Sequence, residues 1–200
     1  MKKTVAVIGS RGAIGNAVVD TLLADESVEA VFKFSRAEIT EHDDKVKHIF
    51  IDIEDEESIK QATESLPEDT KFDLIFVATG ILHDEKNVFP EKSIKDISFD
   101  KLIKVLTINT IGPTLVGKYF IPYLRKDSKS TFAFLSARVG SISDNKLGGW
   151  YSYRASKTAL NQIIRNFSIE VARSNKNAIF IGLQPGTCLL YTSDAADEVL

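Results

Sequence analysis

The chain has 200 residues, 44% of them hydrophobic and 26% charged, with 11 glycines and 5 prolines. That composition suits about one folded domain; it excludes disordered, collagen-like and low-complexity chains, and no apolar run nears the roughly 18 residues of a membrane span. The 25 Lys and Arg against 28 Asp and Glu give a net charge of −3, no footprint for nucleic acid, and one cysteine makes neither an internal disulfide nor a Cys-rich metal site.

The N-terminus, MKKTVAVIG, opens like a secretory leader, but its apolar stretch breaks after five residues at Gly9. It reads as the first strand of a cytoplasmic protein with no membrane contact. Residues 4–8 (TVAVI) are a β-branched run bounded by glycine, the mark of a buried strand. Residues 13–23 carry Ile14, Ala17, Val18 and Leu22 at helical spacing. Residues 30–34 and 48–53 (HIFIDI) are further strands, and 56–66 is an acid-started helix stopped by Pro67. Residues 74–78 (LIFVA) predict a fourth strand. Residues 98–124 predict a long helix, kinked at Pro113 and ending near Pro122. A fifth strand is expected over 131–136, a second long helix over 152–174 and a sixth strand over 178–183. Strands alternating with helices imply right-handed βαβ units, hence an α/β doubly wound parallel sheet in three αβα layers.

The tail from Cys188, CLLYTSDAADEVL, fits no helix or strand template. Residues 188–198 resemble the in-frame translation of a transposase-type sequencing adapter. The expectation is a domain over 1–187 followed by a non-native tail over 188–200. Without the tail the charges balance at 25 each, and Cys188, a nucleophile only in appearance, drops out.

Gly9-Ser10-Arg11-Gly12-Ala13-Ile14-Gly15 lies between the first strand and first helix. A dinucleotide fold of the Rossmann type needs glycines there, for a tight turn, for close approach to pyrophosphate and for packing of helix on strand. The helix N-terminus then offers N–H groups to phosphate. The plainer alternative is a structural turn. An NAD site usually places an acid roughly 20 residues beyond the glycines. Here the second strand ends Phe34-Ser35-Arg36, with no acid before Glu38. Arg36 and Arg11 would pair with a 2′-phosphate, favouring NADP(H) over NAD(H); the alternative is that both are solvated surface charges.

Tyr153 and Lys157 sit at i and i+4 near the head of the second long helix and share a face. Free tyrosine has a pKa near 10, and a proton donor near neutrality needs a shift worth roughly 4 kcal/mol. An ammonium about 4 Å away at an effective dielectric of about 20 supplies that order of energy.

The stretch Leu135-Ser-Ala-Arg-Val-Gly-Ser-Ile-Ser-Asp-Asn145, followed by Gly149-Trp-Tyr-Ser-Tyr-Arg-Ala-Ser-Lys-Thr-Ala-Leu-Asn161, resembles the short-chain dehydrogenase/reductase family. The likeness is to its C-factor-like and sniffer-type carbonyl reductase branch and covers 4–187. The resemblance implies that Tyr153 is the proton donor and acceptor. It implies that Lys157 lowers the tyrosine's pKa and binds the nicotinamide ribose, and that Asn109 supports a proton-relay water. Asp52 and Ile53 would cap the adenine, Ala78, Thr79 and Gly80 would pack beside the adenosine ribose, and Pro185 and Gly186 would flank the nicotinamide. The family's serine, three residues before Gly140, is Ala137 here. Ser136 is the substitute, although a one-residue shift on a strand reverses the facing side; Ser141 and Ser143 follow. The family's Asn-Asn-Ala-Gly is Val77-Ala-Thr-Gly80. Beyond Thr187 the family continues with a substrate lid, a helix and a seventh strand, so the chain is expected to lack its last strand and helix. A homodimer or homotetramer through the two long helices is expected.

His42, His48 and His83 lack metal-ligand spacing, and no metal site is expected. The acidic run over 52–57 reads as a solvated helix start. Trp150 either lines the substrate cleft or packs between subunits. Two functions compete: an NADP(H)-dependent reductase of a small carbonyl or alcohol substrate, and a nucleotide-binding signalling or regulatory protein on the same fold.

Overall fold

The computed structural model describes residues 2–37, 43–83 and 88–186. The expected tail over 188–200, with Cys188, and also Glu38 and His42, lie outside the described residues.

Among the described residues, six strands form one parallel sheet: β1 (Lys3–Ile8), β2 (Val28–Ser35), β3 (Val46–Phe50), β4 (Leu74–Val77), β5 (Ser130–Leu135) and β6 (Ala178–Leu183), in the order β3-β2-β1-β4-β5-β6. The order reverses between β1 and β4, and in open parallel sheets ligands bind outside the carboxyl ends of the strands at that point. Among the described residues, five α-helices cover the faces: α1 (Ala13–Ala24), α2 (Glu56–Glu64), α3 (Phe99–Leu106), α4 (Gly112–Phe120) and α5 (Tyr151–Val171). The doubly wound α/β fold read from the sequence is the observed one.

Alternation along the strands divides the core in two. Ala6 and Ile8 of β1, Phe32 and Phe34 of β2 and Phe132 and Phe134 of β5 are buried with Ile59, Val116, Phe120 and Leu160 of α2, α4 and α5. The intervening Val5, Val7, Val31 and Phe76 pack with Val19 of α1. Edge-on ring pairs, Phe32 with Phe72 at 5.3 Å and Phe34 with Phe120 at 5.1 Å, fix the first cluster. On β6, at the end of the strand order, Ile179 and Leu183 are exposed.

Three elements differ from expectation by more than two residues, among them the second long helix, expected over 152–174, which ends at Val171. The third strand stops at Phe50, not residue 53. The Asp52 carboxylate accepts the Glu54 N–H at 3.0 Å, and the Asp52 N–H donates to Ser58 Oγ at 2.9 Å. These local bonds turn the chain into α2 before a further ladder pair forms. The long helix over 98–124 is broken into α3, a π-turn (Thr107–Ile111), α4 and a 3₁₀ turn (Ile121–Tyr123). Pro113 has no N–H for the carbonyl of Asn109 four residues earlier, so the irregularity precedes the proline. Among the described residues, no helix is long and apolar enough to cross a membrane.

Candidate active site

The glycine turn begins with Gly9 at φ +82°, a left-handed backbone that favours glycine, where a Cβ would also stand 2.8 Å from Thr79 Cγ2. At Gly15 a Cβ would lie 2.2 Å from the Gly9 carbonyl oxygen, so α1 rests directly on the turn. Gly12 is different: its nearest neighbour is the same oxygen at 3.4 Å, an ordinary contact. It lines a cleft of about 580 Å³ whose walls also include Gly9, Arg11, Ser35, Arg36, Ile53, Ala78, Thr79 and Gly80. Gly12 is the N-cap of α1; it gives no side-chain cap, and the first turn holds no acid. The positive end of that helix thus opens on the cleft. Thr79 Oγ1 is buried without a hydrogen-bond partner among the described residues. A small-residue turn, an uncapped helix end and an unused hydroxyl fit a dinucleotide.

At the β2 end of the cleft, the Ser35 hydroxyl is 2.9 Å from His48 Nε2 and donates to the Ala37 carbonyl at 3.2 Å. Burial, then Lys33 and Arg11, hold the His48 pKa below its ordinary value. Arg36 Nη1 is 3.9 Å from Glu54 Oε1, and Glu54 Oε2 also accepts Lys104 Nζ at 2.7 Å.

The second half of the site is built on α5. Lys157 is 2% exposed, and its Nζ donates to the Leu135 carbonyl at 2.8 Å. Burial lowers its pKa to about 8. The same nitrogen lies 5.8 Å from the centre of the Tyr153 ring. At Gly80 a Cβ would be 3.1 Å from Lys157 Nζ and 3.4 Å from Asn109 Oδ1, so lysine, asparagine and the cleft wall meet at this glycine. Asn109 is fully buried in the π-turn. Its Oδ1 accepts Ile81 N–H at 2.7 Å, and its Nδ2 donates to the Ile81 carbonyl at 2.8 Å and Ser156 Oγ at 3.1 Å. Gly140 lets the β5–α5 connection touch α5: a Cβ there would stand 2.8 Å from the Lys157 carbonyl carbon.

Some expected residues stand apart from the cleft wall. Ser10 is buried and donates to the Phe34 carbonyl at 3.3 Å. Gly15 packs on the turn, and Ile14 packs with the α1-side core. Asp52 is engaged in its own turn, and Gly186, next to Pro185, has nothing near its Cβ position. The Ser136 hydroxyl donates to Asn161 Oδ1 at 2.6 Å, one helical turn beyond Lys157, so its proton is committed to that side chain. The cleft also includes Ile51, Glu54, Ile81 and Ile108, which the sequence reading missed. Apolar residues after strands read as core unless the cleft is known.

Together the two half-sites define a class of protein. The chain matches the short chain dehydrogenase family over residues 3–196 and belongs to it, which makes it a member of an oxidoreductase family. It is 28% identical over 185 residues to 1-hydroxy-2-glutathionyl-2-methyl-3-butene dehydrogenase from Rhodococcus sp., across 92% of this chain and 76% of that one. Over 79 residues it is 34% identical to C-signal of Myxococcus xanthus, covering 40% of this chain and 48% of that protein. Its fold is similar to carbonyl reductase Sniffer of D. melanogaster, with TM-score 0.81 and 20% identity over 93% of this chain and 81% of that one. An NADPH-bound carbonyl reductase from chicken fatty liver gives TM-score 0.77 and 24% identity over 92% and 76% of the respective chains. The family resemblance read from the YSYRASK segment is borne out.

Proposed function

We propose that the chain transfers hydride between NADP(H), in preference to NAD(H), and a small carbonyl compound or its alcohol. The observation that carries this reading is Lys157: a buried ammonium against Gly80, on the wall of the dinucleotide cleft, with Tyr153 one helical turn before it. The nicotinamide cofactor supplies or accepts the hydride when bound. Tyr153 donates the proton to the carbonyl oxygen, or takes it from the alcohol. Lys157 stabilises the phenolate and holds the nicotinamide ribose, while its bond to Leu135 fixes where the charge sits. Asn109 ties the π-turn to Ile81 and Ser156 and supports the relay water. The Gly9–Gly15 turn, including Ser10, Arg11 and Ile14, shapes the pyrophosphate subsite. Ser35, Arg36 and Ile53 enclose the adenosine, Asp52 acts from behind by fixing the turn that carries Ile53, and Pro185 and Gly186 flank the nicotinamide. Because Ser136 spends its proton on Asn161, we assign it to orienting α5, leaving Tyr153 as the single proton donor.

The NADPH-bound chicken carbonyl reductase, and a short-chain dehydrogenase/reductase from Burkholderia multivorans solved with NADP, support the cofactor reading through their shared fold. Assembly through α3, α4 and α5 is supported by exposed Phe99, Ile103 and Ile169 on α3 and α5. A second reading, nucleotide binding for signalling or regulation with little turnover, is favoured by one observation: Ala137 has no hydroxyl, and Ser136 is committed elsewhere. Following NADPH absorbance across a panel of aldehydes and ketones separates the two. Oxidation that requires Tyr153 supports the reductase; tight NADPH binding with no consumption on any substrate supports the second reading.

A further inference from the structure

α5 begins in an unusual way for a helix that carries a proton donor in its first turn. Its N-cap position is Trp150, whose side chain makes no capping bond, and its first turn contains no acid. Trp150 has φ +50°, following Gly148 at +68° and Gly149 at +64°. Three left-handed residues in a row, the last an aromatic, do not hold themselves in place. The groups that a cap would serve find their partner on a distant loop. Glu91 is 2% exposed. Its carboxylate accepts the Ser152 N–H at 3.2 Å and the Ser152 hydroxyl, and its backbone carbonyl accepts the Trp150 N–H at 2.6 Å. Ser152 is the second residue of the helix, the position an N-cap side chain ordinarily serves. A carboxylate there also complements the positive end of a 21-residue helix.

We infer that Glu91 is a positioning residue for the reaction: a cap supplied from another part of the chain, which fixes the turn that presents Trp150 and Tyr153. Tyr153 immediately follows Ser152, and the Trp150 ring meets the Tyr153 ring edge-on at 6.2 Å. Releasing Ser152 from the carboxylate loosens the first turn of α5, and with it the tyrosine hydroxyl, while the Trp150 N–H keeps its bond to the backbone carbonyl of residue 91 in any side-chain variant. Lys157 lies a full turn deeper, held by Leu135, and stays in place. The inference rests on Tyr153 being the proton donor, and it predicts loss of turnover without loss of the cofactor site.

Trp150 is the sole tryptophan of the chain, so its emission reports this turn directly. Glu91→Ala, Glu91→Gln and Ser152→Ala are compared with the parent chain by tryptophan emission, NADPH titration and steady-state kinetics. Glu91→Ala is expected to shift the emission and lower kcat roughly 10- to 100-fold, with NADPH affinity within about twofold. Glu91→Gln, which keeps one carbonyl acceptor, is expected to fall between Ala and the parent, and it decides the matter if the Ala variant does not fold. Unchanged emission and kcat in folded Glu91 variants, beside an inactive Tyr153→Phe, would overturn the cap. Activity retained by Tyr153→Phe would instead overturn the proton-donor reading, and the emission shift would still report whether Glu91 holds the turn.

Discussion

Two helices start at the two halves of the site, and their N-termini are treated in opposite ways. α1 begins at glycine, with no side-chain cap and no acid in its first turn, and opens on the cleft. α5 begins at a tryptophan and is closed by the buried carboxylate of Glu91. An open N-terminus keeps its N–H groups and positive dipole for an incoming anion. A closed one trades that binding capacity for a fixed first turn. The same local physics thus suits a phosphate subsite at one end and, under the proposed function, a rigid platform for an acid–base pair at the other.

The largest effect is expected at the closed helix. Tyr153→Phe removes one hydroxyl and little packing. It should cut kcat by roughly 10²- to 10⁴-fold while NADPH affinity stays nearly the same. Single-turnover kinetics with a fluorescence titration of NADPH checks both halves; a Phe variant that keeps much of its kcat breaks the contrast between a binding end and a chemical end.

At the open helix, two glycines separate packing from binding. Gly15→Ala drives a methyl to 2.2 Å from the Gly9 carbonyl and should destabilise the fold by about 3 kcal/mol or more. Gly12→Ala meets nothing closer than 3.4 Å, so the folded chain should tolerate it within about 0.5 kcal/mol. NADPH binding should nevertheless weaken, because the methyl faces the cleft. Urea unfolding with cofactor titration distinguishes them. Equal loss of stability in both variants would mean that Gly12 serves packing only.

Much of this arrangement was legible in the sequence, and for identifiable reasons. The strands announce themselves as short β-branched and aromatic runs, the first and fourth closed by Gly9 and Gly80, and their alternation with helical segments points to a parallel sheet. The spacing of Tyr153 and Lys157 puts them on one helix face, and the family resemblance of the segment around them is what singles the pair out. What failed was anything set by partners distant in sequence. Ser136 stands one residue from the family's serine position, but a strand register says which face a residue takes, not that Asn161 will be there to accept its proton. Pro113 signalled an irregular helix, yet the break lies in the turn before it, where the missing N–H is felt. Glu91 gave no signal, because an acid in a loop reads as solvated until a buried N–H is found against it.

Lys157 sharpens the comparison through pH. Burial holds its folded pKa at about 8, below the ordinary 10.5. Between those values the unfolded chain binds the extra proton, so stability should rise with pH across that window; below pH 8 both states are protonated and the cost of burying the charge is paid in full. The cost is on the order of 3 kcal/mol. Lys157→Met, similar in length and without charge, should therefore be the more stable chain at pH 7 in the absence of cofactor, by up to about that amount. The advantage should shrink steadily toward pH 10. Denaturant unfolding of both chains from pH 7 to pH 10 tests this, and a stability difference that does not move with pH would show that the ammonium is not buried at this cost.

The smallest effect belongs to the rim of the open end. Arg36 and Arg11 line the cleft, and Arg36 is more than half exposed, so its attraction for a 2′-phosphate is screened by water. Glu54, 3.9 Å from Arg36, competes for the guanidinium, but it also accepts a much closer bond from Lys104. That second partner leaves Arg36 able to swing toward an anion. Arg36→Asp removes the cation and places a carboxylate where an NAD site uses one for the ribose hydroxyls. The new acid would lie beside Glu54, and that repulsion limits how well the site holds any adenosine. The expected result is a preference moved toward NADH by roughly tenfold, mostly through weaker NADPH binding and only slightly through stronger NADH binding. Titrating both cofactors at low and at physiological salt reads it, because a screened phosphate contact weakens with ionic strength. Equal affinity of the parent chain for NADPH and NADH, at either salt, would remove the 2′-phosphate from the account of this cleft.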